Sequence, residues 1–104
     1  MEADRGFVQV YTGDGKGKTT AALGLTLRAV GAGWNVFIGQ SAKGMKCSEL
    51  AVLERLSDQV TVRQFGRSCF VKRTPDLADR QLAEQGLTEC KRVLLAGKHR
   101  LVIL

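Results

Sequence analysis

The chain has 104 residues, 44% of them apolar, and a formal charge of +6. This is enough for one domain with a real core, and no apolar run approaches the roughly 18 residues that cross a bilayer. The charged opening Met1-Glu2-Ala3-Asp4-Arg5 does not read as a secretory leader. The cysteines Cys47, Cys69 and Cys90 are odd in number and lack a Cys-x-x-Cys pair, so they fit reduced thiols of a cytoplasmic protein better than disulfides or a metal site.

Phe7–Tyr11 alternates apolar and polar residues and predicts a first strand. It runs directly into Thr12-Gly13-Asp14-Gly15-Lys16-Gly17-Lys18-Thr19-Thr20, after which the sequence turns rich in alanine and leucine. Strand, glycine loop and helix in this order form a cradle for phosphate. Successive backbone N–H groups and the helix N-terminus face the anion. Lys18 supplies charge to the terminal phosphates and the Thr19 hydroxyl is offered to Mg²⁺. The usual pattern is Gly, four residues, then Gly-Lys-Ser/Thr. Here Thr12 stands where the first glycine belongs, Gly13 follows it, and a second lysine, Lys16, lies inside the loop. A glycine-rich hairpin or linker is the competing reading, and the placement between a strand and a helix argues against it. The loop predicts a nucleoside triphosphate ligand, held by Thr12 through Thr20.

A helix is expected from Lys18 to about Ala32, with Leu23, Leu27 and Val30 on its apolar side and Gly31 and Gly33 as its stop. Trp34–Gln40 is apolar enough for a strand covered on both faces. Ser48 can cap a short helix carrying Leu50, Leu53 and Leu56, with Glu49 well placed in its first turn. Val60–Phe65 predicts a third strand. Thr74-Pro75 opens a third helix that runs to about Ala96, with Gly97 as its stop and Gly86 as a weak point inside it. His99 reads as a loop residue before the strand Leu101–Leu104. Repeated strand–helix alternation means an α/β protein with a parallel sheet flanked by helices. In P-loop proteins a strand like the last one runs into an acidic Mg²⁺ ligand. We therefore read residues 1–104 as one nucleotide-binding domain, truncated as the N-terminal part of a longer one.

The positive charge invites a nucleic-acid reading. Two loop lysines are already explained by phosphate, and the other basic residues are scattered. With one Trp, one Tyr and four Phe there is little to stack bases on, so nucleic acid is not the expected partner.

The run Val8-Gln9-Val10-Tyr11-Thr12-Gly13-Asp14-Gly15-Lys16-Gly17-Lys18-Thr19-Thr20-Ala21-Ala22-Leu23-Gly24 resembles the signature of the P-loop ATP:corrinoid (cob(I)alamin) adenosyltransferases. The likeness continues through Arg28-Ala29-Val30-Gly31, Gln40, Lys43-Gly44, Glu49-Leu50, Leu53-Glu54, Phe65-Gly66, Phe70, Pro75 and the last strand Leu101–Leu104. The resemblance implies a RecA-like P-loop fold and transfer of the 5′-deoxyadenosyl group of ATP to Co(I) of a corrinoid, with release of triphosphate. It further implies Mg²⁺, an electron donor such as a flavoprotein to reduce Co(II), and no protein nucleophile, since Co(I) is itself the nucleophile. A homodimer is compatible with it. Phe70 matches an aromatic that keeps the lower ligand off cobalt, although its usual tryptophan partner is replaced by Lys72; a packing role is the competing reading. Lys43, Lys72 and Arg73 read as solvated charges. Another P-loop ATPase or a small-molecule kinase is the alternative function.

Overall fold

The computed structural model of the protein describes residues 6–40, 48–65 and 77–104. They form, in chain order, α1 (Lys18–Gly31), β1 (Val36–Gln40), α2 (Ser48–Glu54), β2 (Val60–Gln64), α3 (Leu77–Ala96) and β3 (Leu101–Ile103). The three strands make one parallel sheet in the order β2-β1-β3. The register sets Val36 beside Val60 and Leu101, and Gln40 beside Gln64.

Alternation along the strands divides the apolar residues between two faces. Val36, Ile38, Val60, Val62, Leu101 and Ile103 pack with Ala29 and Leu23 of α1 and with Leu50 and Leu53 of α2. Phe37 and Val102 point the other way, onto Cys90 and Val93 of α3. The chain is thus an α/β layer structure, with α1 and α2 on one face and α3 on the other. Because β1 is central and covered on both faces, four of its five residues are buried in an unbroken run. Gln59 ties α1 to the sheet: its side-chain amide donates to the carbonyls of Val30 and Trp34, both at 3.3 Å, and its own carbonyl accepts from Val36 N–H. These bonds join the end of α1 and the turn after it to the residue that precedes β2.

Helix and strand placement follows the sequence closely, with three corrections. Phe7–Tyr11 is not a strand of this sheet. Phe7, Val8 and Val10 are 82%, 92% and 78% exposed, and the segment has no ladder partner among the described residues. Alternation reports a capacity to pair, whereas a ladder needs a partner edge. The outer edge of β3 offers only three residues of strand. On α1 the buried stripe centres on Thr26 and Ala29, leaving Leu27 68% exposed. Thr26 tolerates burial because its hydroxyl donates to the Ala22 carbonyl one turn earlier, at 2.9 Å. Finally, β1 begins at Val36, not Trp34. Trp34 instead lies under the guanidinium of Arg100, 4.5 Å from the ring centre. The predicted start of the third helix at Thr74-Pro75 falls outside the described residues. Its end is as expected, with Gly97 at φ 69° just beyond Ala96.

Candidate functional site

Residues Thr12 through Thr20 are all exposed, and they lead into the N-terminus of α1. Gly13 and Gly17 adopt φ 133° and 110°, backbone that a side chain would strain. Gly17 is the residue before the helix and provides no side-chain cap, and α1 has no acidic residue in its first turn. The amide groups of that turn therefore have neither a capping oxygen nor a local carboxylate, which leaves them to an external anion.

The two loop lysines do different things. The Lys18 ammonium folds back and donates to the carbonyls of Gly13 at 2.5 Å and Gly15 at 3.0 Å, cross-linking the loop. Lys16 has no partner among the described residues. Asp14 lies in the same exposed bend and is likewise unpaired. Thr19 is exposed in the first turn, and its hydroxyl has no partner among the described residues.

α1 runs back toward the start of β1, so its N-terminus and the loop stand at the carboxyl end of the strands. In open parallel sheets ligands bind at that end. Gln40 and Gln64 are the last residues of β1 and β2 at the same end, and the Gln64 amide donates to Gln40 Oε1 at 2.8 Å. Sequence reasoning gave Gln64 no role. The available signal was a polar residue closing each of two neighbouring apolar strands.

His99 is at the opposite end, before β3. Its ring meets Phe37 edge-on at 5.8 Å, and its Nδ1 is buried without a partner. Among the described residues no group of three His, Cys, Asp or Glu side chains could hold a metal ion, and no helix is long and apolar enough to cross a membrane. Cys90 is a free, buried cysteine. Phe70, Lys43, Lys72, Arg73, Cys47 and Cys69 lie outside the described residues.

A parallel sheet with a glycine-and-lysine loop opening the helix beside its carboxyl edge defines the P-loop class of α/β proteins. Within that class the chain belongs to a single family, the ATP:corrinoid adenosyltransferases BtuR/CobO/CobP, whose pattern matches residues 4–104. Over 43 residues it is 56% identical to the corrinoid adenosyltransferase CobA of Salmonella typhimurium, covering 41% of this chain and 22% of that protein. A corrinoid adenosyltransferase of Escherichia coli K12 is 56% identical over 41 residues, which is 39% of this chain and 21% of that protein. A Pseudomonas aeruginosa corrinoid adenosyltransferase is 35% identical over 74 residues, 70% of this chain and 36% of that protein. The chain thus spans about a fifth to a third of the length of these relatives. No solved structure matches it.

Proposed function

We propose that the chain carries the ATP-binding part of a cob(I)alamin adenosyltransferase, acting in the cytoplasm on a corrinoid substrate in adenosylcobalamin formation. The observation that carries this reading is the loop itself: an exposed, uncapped helix N-terminus with two lysines, in a chain of the corrinoid adenosyltransferase family. In the reaction, the electron pair of Co(I) attacks C5′ of ATP. The C5′–O bond breaks, its electrons leave with triphosphate, and cobalt ends two oxidation levels higher.

No protein nucleophile is needed, so the protein's tasks are alignment and stabilisation of the leaving group. The amides of Gly13, Asp14, Gly15 and Gly17, with Thr12 and Thr20 flanking them, hold the triphosphate. Lys16 and Lys18 balance its charge. Asp14 contributes its N–H, because its carboxylate would repel phosphate. Thr19 fits a Mg²⁺ ligand, since its hydroxyl stands unpartnered at the mouth of the anion site; the ion would add positive charge against the phosphates. Phe70 is assigned to the corrinoid side, where it helps keep the lower ligand from cobalt. A reducing partner such as a flavoprotein supplies Co(I), and a homodimer is compatible with this reading.

Product analysis tests the reading. Incubation with ATP, Mg²⁺ and chemically reduced cobalamin should yield triphosphate and the absorption spectrum of adenosylcobalamin in equal amounts. Formation of ADP instead would assign the chain to another P-loop ATPase or a small-molecule kinase.

A further inference from the structure

The face of the sheet that carries α1 and α2 is apolar at every rung but the last. Val36 and Ile38 on β1, Val60 and Val62 on β2, and Leu101 and Ile103 on β3 all belong to one core. At the next rung both β1 and β2 change to glutamine, and the register places Gln40 directly beside Gln64. A valine pair would continue the core at no polar cost, whereas a half-buried amide must find hydrogen bonds or lose stability. Gln64 donates to Gln40 Oε1 at 2.8 Å and is engaged elsewhere as well, so the open hydrogen-bonding capacity of the pair lies on Gln40. With its oxygen engaged, Gln40 presents two amide hydrogens, and these have no partner among the described residues.

The surroundings of this pair also favour a ligand. Gln64 lines a groove of about 390 Å³ between α2 and β2, together with the apolar Leu50, Leu53, Val60 and Val62 and the acidic Glu54. Apolar walls with a few polar groups are the usual make-up of a small-molecule site. The groove lies beside β2, on the far side of β1 from β3. α1, which brings the phosphate loop, packs on β1 and β3, while α2 packs on β2. The pair thus runs from β1, which α1 covers, to β2, where Gln64 faces the groove beside α2.

We propose that Gln40 and Gln64 form a subsite for the carboxamide-bearing rim of the corrinoid, a proposal that rests on the adenosyltransferase reading. A corrin ring is broad and apolar, and it is edged with primary amides that both donate and accept. An amide pair on the protein matches that edge, while the groove receives apolar surface. Recognition of this kind discriminates strongly, because a rim group of the wrong type leaves amides unpaired.

The test measures binding, separately from turnover. Hydroxocobalamin is titrated by visible absorption and ATP by calorimetry, against the natural protein and the variants Gln40→Leu, Gln64→Leu and the isosteric Gln40→Glu. Loss of a hydrogen bond of this kind should weaken hydroxocobalamin about tenfold. ATP affinity and melting temperature should stay as they were. The natural protein should also prefer hydroxocobalamin over derivatives whose rim amides are hydrolysed to carboxylates, and Gln40→Leu should lose that preference. Unchanged hydroxocobalamin affinity in all three variants overturns the subsite. So does an equal loss of ATP affinity, or a fall in melting temperature that accounts for the loss, with Gln40→Glu behaving like the natural chain. A natural protein that binds hydroxocobalamin with this preference but never adenosylates it would overturn the catalytic reading alone. One that binds no corrinoid overturns both.

Discussion

Gly86, in the middle of α3, has the ring of Phe65 pressed against its backbone: a β-carbon there would stand 2.6 Å from Phe65 Cγ. The residue that looked like a flaw in the helix is what lets α3 approach the chain leaving β2. Phe65 packs there against the cluster of Phe37, Cys90 and Val93. Gly86→Ala should gain roughly 1 kcal/mol of helix propensity and lose about 1–3 kcal/mol to overpacking. The expected net effect is a destabilisation of about 1 kcal/mol, read as a lower urea midpoint at unchanged slope. In a Phe65→Ala background the same substitution should turn neutral or stabilising, because the clash is gone while the propensity gain remains.

The sequence made the helices, the central strand and the loop legible for separate physical reasons. Lys18 through Gly31 is marked by its glycines, and Val36–Gln40 by an unbroken apolar run. The phosphate loop is marked by residue types that few other structures require. What stayed hidden was tertiary. Nothing local says that Leu27 faces outward while Thr26 is buried, because the leucine is the more apolar of two adjacent residues and only packing against the sheet selects the threonine side. Nor does alternation in Phe7–Tyr11 say whether an edge is present to receive it. Gly86 needed the position of Phe65, and Gln64 needed the register that sets it beside Gln40.

Cys90 is 6% exposed, and burial pushes its thiol pKa up, with the Glu89 charge adding to the effect. Because the thiolate is the reactive form, alkylation by iodoacetamide at neutral pH should be slow in the folded protein. It should rise to the rate of an ordinary thiol in denaturant, with Cys90 followed by peptide mass mapping. Fast alkylation of Cys90 under native conditions would contradict its place between α3 and β1.

Glu89 and Arg92 face each other one turn apart on α3, with Arg92 Nη2 to Glu89 Oε1 at 2.6 Å and Nε to Oε2 at 3.1 Å. The hydrogen bond from Arg92, with the charges of Arg92 and Arg63, holds the Glu89 carboxyl below its ordinary value against a smaller upward push from desolvation. A carboxyl depressed in the folded state stabilises it at pH above its ordinary unfolded-state value, and that stability is lost as pH falls through the lower folded value. Glu89→Gln should therefore lower the urea midpoint slightly at pH 7. The gap should shrink with added salt and close in acid. A gap that persists in acid would mean the variant acts through packing.

The two loop lysines should separate by function when each is changed alone. Lys18 is bound to the carbonyls of Gly13 and Gly15, so it both carries charge and holds the loop closed. Lys18→Ala should lose ATP affinity by at least a hundredfold, since it removes a cation and the cross-link together, each worth on the order of 1–3 kcal/mol. Its far-ultraviolet circular dichroism should be unchanged, because the loop is exposed and contributes nothing to the core. Lys16 holds no loop contact, so Lys16→Ala should cost only the charge, about tenfold in affinity. That loss should largely vanish at high ionic strength, as expected of an exposed cation, while the Lys18→Ala loss should shrink only in its charge component and leave the part due to the broken cross-link. Calorimetric titration of ATP at low and high salt checks both. Equal losses with equal salt dependence would mean that the Gly13 and Gly15 contacts do not shape the loop that binds phosphate.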